Sequence, residues 1–129
     1  MLYVSATEGP MRLALAALMI LHGIAHLVGF AGSWHLGELP YKTTVLGGRV
    51  DLGDTGIRAA GVLWLTAAMA FVVVGAGTAL DYDWWAKAAL YVTLASLALT
   101  IVEFPEAKLG LVVNLAILVV LFATTRATA

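Results

Sequence analysis

Between Ala59 and Leu80 the chain runs for twenty-two residues without a charged side chain. A helix needs roughly 20 apolar residues to cross a hydrocarbon core, so this run is long enough to do so. Composition places the rest of the chain in the same setting. With 62% hydrophobic residues, 12% charged residues and a mean hydropathy of +0.97, the 129 residues fall far outside the make-up of a soluble domain. Three further apolar runs follow the same logic. Leu13–Trp34 holds two histidines and no fixed charge. Trp84–Val102 is interrupted only by Lys87, whose stem can carry its ammonium back to the headgroups. Leu109–Thr125 holds Asn114 and is bracketed by Lys108 and Arg126.

The expected fold class is therefore all-α, a transmembrane four-helix bundle forming a single integral membrane domain over residues 1–129. Its spans fall at about 12–33, 57–80, 84–103 and 106–125, with a long loop at about 34–56. Four spans put both termini on one side of the cell membrane. Near the span ends, Arg12, Lys87 and Arg126 lie on the terminal side against Lys42, Arg49, Arg58 and Lys108 on the other. The balance leans to cytoplasmic termini only because the first three sit tight against span ends. The first apolar run exceeds an h-region of about 7–15 residues and follows Glu8, so it reads as a retained helix starting at Met11-Arg12, with residues 1–10 as a tail.

Boundaries have local causes. Asp54 or Thr55 can cap the second helix and Asp83 the third, where Trp84 and Trp85 suit headgroup depth. Pro105 suits a first helical position, with Glu106 complementing the helix dipole. The loop at 34–56 is too long for a simple connection and reads as a lid over the bundle mouth or as a solvated extramembrane loop. Within it and just after it, Arg49/Asp51 and Asp54/Arg58 can pair charges. No cysteine is present, which removes thiolate chemistry, and a near-zero net charge points away from nucleic acid.

Chemistry centres on His22 and His26, since an ionisable group at bilayer depth normally faces the protein interior. Four apart on a helix, they share a stripe with Met19. Counting inward from the loop end places Trp64, Ser96 and Asn114 near the depth of His26, and Met69, Thr93 or Val92, and Leu118 near His22. Glu103, Arg58, Asp51 and Asp54 belong to the mouth. This set suits three uses. A metal ion could take His22 and His26, with Met19 and Met69 as soft ligands or Glu103 and Asp51 as hard ones. A quinone-like molecule could hydrogen-bond a histidine beside Trp64, with Ser96 and Asn114 as orienters. A haem fits less well, because two histidines on one helix cannot reach opposite porphyrin faces. Alternatively, the histidines are interhelical glue bonded to Ser96, Asn114 or a carbonyl. No catalytic constellation of serine, cysteine or paired carboxylates is recognisable.

The first helix, with Arg12 followed by His22-Gly23-Ile24-Ala25-His26-Leu27-Val28-Gly29, resembles the DoxX-like four-span membrane proteins, His26 standing where that family tends to have lysine. The resemblance implies a four-helix layout and membrane redox chemistry, quinone-linked in some members, often as a subunit of a larger assembly. The stretch from Gly48 to Arg58 is also similar to small four-span bacterial membrane proteins with no assigned activity. Three functional classes follow: a ligand-binding or redox-accessory subunit ranks first, then a structural or interaction subunit of a homo-oligomer or larger complex, then a small transporter or channel.

Overall fold

The computed structural model describes residues 8–126 and is built of helices with one small hairpin. In chain order they are α1 (Glu8–Ser33), β1 (Thr44–Val45), β2 (Val50–Asp51), α2 (Gly53–Ala79), α3 (Trp85–Val102) and α4 (Lys108–Arg126). All four helices are long and apolar enough to cross a membrane. Their outward faces carry large apolar side chains such as Leu21, Val73, Leu109 and Val119, while His22, His26, Thr93, Ser96, Thr100 and Asn114 are buried. Apolar faces outward and polar groups inward is the arrangement that lipid favours, because hydrocarbon solvates the first and not the second.

The closest helix pair is α1 with α2. A Cβ on Gly23 would stand 2.8 Å from the Ala68 carbonyl oxygen, and one on Gly75 3.1 Å from that of Ala16. Small residues thus let the two backbones meet, which is how helices associate where no hydrophobic drive exists between them. Toward the terminal side, Leu15, Met19, Phe71, Val74, Ala89, Ile117 and Leu121 fill an apolar core. His26, Ser96, Thr100 and Asn114 lie nearer the loop end, whereas the buried Thr78 and Thr124 lie at the terminal side. At the terminal side Arg12 donates to the Thr78 carbonyl (3.0 Å) and pairs with Asp81 (3.6 Å), fastening the start of α1 to the α2–α3 turn.

Several expected boundaries move. α1 starts at Glu8, so residues 8–10 of the expected tail are helical, and residues 1–7 lie outside the described range. α2 starts at Gly53; neither Asp54 nor Thr55 caps it, because the Asp51 carboxylate already accepts the Gly53 N–H (2.9 Å) from upstream. Asp83 does not cap α3 either: Trp84 holds the cap position without a side-chain bond, and the turn closes through the Trp85 N–H to the Tyr82 carbonyl (3.0 Å). Trp84 is exposed beside Gly77, whereas Trp85 is partly buried and packs on the apolar core. Pro105 precedes α4 instead of opening it, since residues 103–107 form a turn whose Pro105 carbonyl accepts the Lys108 N–H (3.1 Å).

The long loop is docked on the bundle end. Its antiparallel hairpin pairs Thr44 with Asp51 and Val45 with Val50, and its turn uses Gly47 and Gly48 at positive φ. The Leu46 N–H donates to the Val102 carbonyl (2.8 Å), Val45 is buried, and Lys42 pairs with Glu106 (2.6 Å). The expected charge pairs are replaced. Arg49 turns toward Ile101, Phe104 and Pro105, Asp54 accepts from the Tyr41 hydroxyl, and Arg58 lies over the Trp34 ring (5.7 Å).

Candidate functional site

The two histidines point inward and are 5% and 3% exposed, so the site is built from their partners outward. One turn of α1 separates them, which brings the rings to 4.4 Å, edge to face. His26 donates from Nδ1 to the His22 carbonyl (2.8 Å), which leaves Nε2 to accept the Ser96 hydroxyl (2.6 Å). His22 donates from Nε2 to Asn114 Oδ1 (2.8 Å), and the Asn114 amide donates to Thr100 Oγ1 (3.3 Å), whose hydroxyl passes to the Leu97 carbonyl (2.9 Å). Each donor thus meets an acceptor, and the chain of bonds ties α1 to both α3 and α4.

One nitrogen stands apart. No hydrogen-bond partner among the described residues faces His22 Nδ1. Every fully buried side-chain nitrogen or oxygen among those residues has a partner, so this atom lies at the edge of the core, not inside it. A Cβ on Gly110 would stand 3.8 Å from His22 Cε1, so the glycine leaves a notch beside that edge of the ring.

Aromatic rings close the layer. Phe71 meets both imidazoles edge-on at 5.0 and 5.3 Å, and Trp64 lies tilted against His26 at 4.9 Å. The Trp64 indole N–H donates to Glu103 Oε1 (3.2 Å) at the end of α3. Burial pushes the half-buried Glu103 carboxyl above its ordinary range; the Trp64 N–H opposes this and the Glu106 carboxylate adds to it.

The expected residues are partly gathered. Trp64 and Ser96 do meet His26, but Asn114 bonds to His22 and Thr100 instead. Met19 is fully buried in the apolar core, while Met69 is 63% exposed on the outward face of α2 and takes no part in the layer. Leu118 lines an outer groove between α3 and α4. Among the described residues no three or more His, Asp or Glu side chains are grouped to hold a metal ion. Of the mouth residues, Glu103 joins the layer through Trp64, whereas Asp51, Asp54 and Arg58 are engaged in the loop. Thr100 and Phe71 join the layer as well, beyond the residues to which the sequence points. Thr100 had a signal: Ala89, Thr93, Ser96 and Thr100 recur at helical spacing and form the buried face of α3.

No protein-family profile, curated protein or solved structure matches the chain.

Proposed function

We propose that the protein is a small interaction subunit of a membrane assembly, with its histidine layer serving as the clasp that fixes helix register. One observation carries this reading: three of the four imidazole nitrogens are taken up by the protein itself, two of them by side chains of α3 and α4. Buried polar contacts of this kind give bundles a unique arrangement, at some cost in stability. The test compares the parent with a His22→Ala/His26→Ala variant by elemental analysis, absorption spectrum, thermal unfolding and light scattering in mild detergent. Equal metal content and equal spectra, a lower Tm in the variant, and a parent particle larger than one 13.5 kDa chain are expected. A stoichiometric metal or chromophore that disappears with the histidines would overturn the reading.

His22 Nδ1 supports a second reading, the redox-accessory role implied by the DoxX-like resemblance. A bare imidazole nitrogen beside the Gly110 notch is a hydrogen-bond acceptor for a quinol hydroxyl or a single ligand to a metal. Saturable quenching of tryptophan fluorescence by a short-chain quinol, lost in both His22→Ala and Gly110→Leu, is the expected result under that role. Quenching unchanged by both substitutions would remove it.

A further inference from the structure

On the outer face of the bundle, between α3 and α4, runs a groove of about 720 Å³. Leu90, Leu94, Val119 and Phe122 line it and are 40–69% exposed. Any membrane protein shows apolar surface to lipid, so apolarity alone selects nothing. Charge at one end does. Lys87, in the first turn of α3, lines the groove, and the Arg126 guanidinium at the end of α4 lies 5.4 Å over the ring of Phe122. Because α3 and α4 run antiparallel, both cations sit at the terminal side.

Neither cation is engaged by an acidic partner among the described residues, and no acidic side chain lines the groove. Asp81 and Asp83 belong to the α2–α3 turn, and Asp81 is already paired with Arg12. From Lys87 to Leu94 is seven residues of helix, roughly 10 Å at about 1.5 Å per residue. That is within half of a hydrocarbon core about 30 Å thick, so the groove runs from headgroup depth toward the midplane of one leaflet.

We propose that this groove holds one anionic phospholipid of the terminal-side leaflet, its phosphate between Lys87 and Arg126 and an acyl chain along Leu90, Leu94 and Val119. The two fixed cations select the headgroup, and the concave wall between the helices retains the chain.

Native mass spectrometry of the protein in neutral detergent, after incubation with phosphatidylglycerol or with phosphatidylcholine of the same chains, tests this. One phosphatidylglycerol should remain bound where phosphatidylcholine is lost. The Lys87→Gln/Arg126→Gln variant should bind it at least about 10-fold more weakly, whereas Lys108→Gln, which removes a charge at the opposite end, should bind as the parent does. Val119→Trp fills the groove from an outward position and should weaken binding with both cations intact, so the proposal stays testable if the double variant does not fold. Equal retention of the two lipids, or parent-like binding by both groove variants, overturns it. So does a dimer by light scattering that Val119→Trp dissociates, which would assign the groove to a second copy of the chain.

Discussion

At the scale of single residues, the two imidazoles occupy unlike positions although their sequence surroundings are alike. His26 accepts one hydroxyl and donates to one carbonyl. His22 donates to an amide that is itself held by Thr100. Ser96→Ala removes a donor and leaves an unfilled lone pair on His26, whereas Asn114→Leu, of similar size, strands the His22 N–H and takes the amide donor from Thr100 Oγ1, whose own hydroxyl stays on the Leu97 carbonyl. Interhelical bonds in bilayers average about 0.6 kcal/mol with a maximum near 1.7, and an unsatisfied buried donor costs about 1–3. Ser96→Ala is therefore expected to cost about 0.5 kcal/mol and Asn114→Leu about 1–2 kcal/mol, read from reversible unfolding in mixed micelles. Equal costs would show that the Asn114–Thr100 link contributes nothing. The sequence made the histidines, Ser96 and Asn114 legible, since each is a polar group in an apolar run. It could not tell Met69 from Phe71. On a helix that faces lipid, the outward side is as apolar as the core, so the contrast that normally marks the inner face is absent.

Among the helices, contact distances decide what can change. Gly23 sits where α1 meets the Ala68 carbonyl, and backbone cannot swing aside as a long side chain can, so Gly23→Ala forces the pair apart. A cost of about 1–3 kcal/mol is expected, as for overpacked cores. Gly9→Ala, with nothing within 4 Å of the added Cβ, should be neutral or slightly stabilising. Comparing the two melting curves separates a packing role from a general dislike of alanine. The end of α3 carries a pH prediction. Burial holds the Glu103 carboxyl above its ordinary value of 4.5, so folding favours the protonated form. Its contribution is fully present below 4.5 and is lost as pH rises through the raised pKa. Glu106, held down chiefly by Lys42, acts in the opposite sense and loses its contribution as pH falls through the lowered pKa. Glu103→Gln keeps an acceptor for Trp64 and is expected to raise Tm at neutral pH while flattening its pH dependence above 4.5. A lower Tm at neutral pH would mean that the ionised carboxylate is favoured. Helix ends were less legible than helices: the span lengths follow from apolarity, but Asp51, not Asp54 or Asp83, supplies a capping carboxylate, because the hairpin positions it.

For the whole molecule, the architecture follows from four apolar runs, and the docked loop sets its polarity. One end carries the hairpin, the Lys42–Glu106 pair and Glu103; the other carries Arg12 on Asp81, Lys87 and Arg126. Lys and Arg counts near the span ends are three against four, too close for a positive-inside argument to decide. Charge placement discriminates further. Lys87 and Arg126 stand beside the apolar groove proposed above to hold an anionic lipid, and the cytoplasmic leaflet is the anionic one. The expected orientation therefore has both termini and the α2–α3 turn in the cytoplasm and the hairpin outside. The chain has no cysteine, so single reporters can be introduced without background. Glu38→Cys in the loop and Asp83→Cys in the turn are both exposed positions. In intact cells a membrane-impermeant maleimide should label the first and not the second, and permeabilisation should equalise them. Labelling of Asp83→Cys alone would invert the protein, place its basic groove in the opposite leaflet and turn the docked hairpin to the cytoplasm.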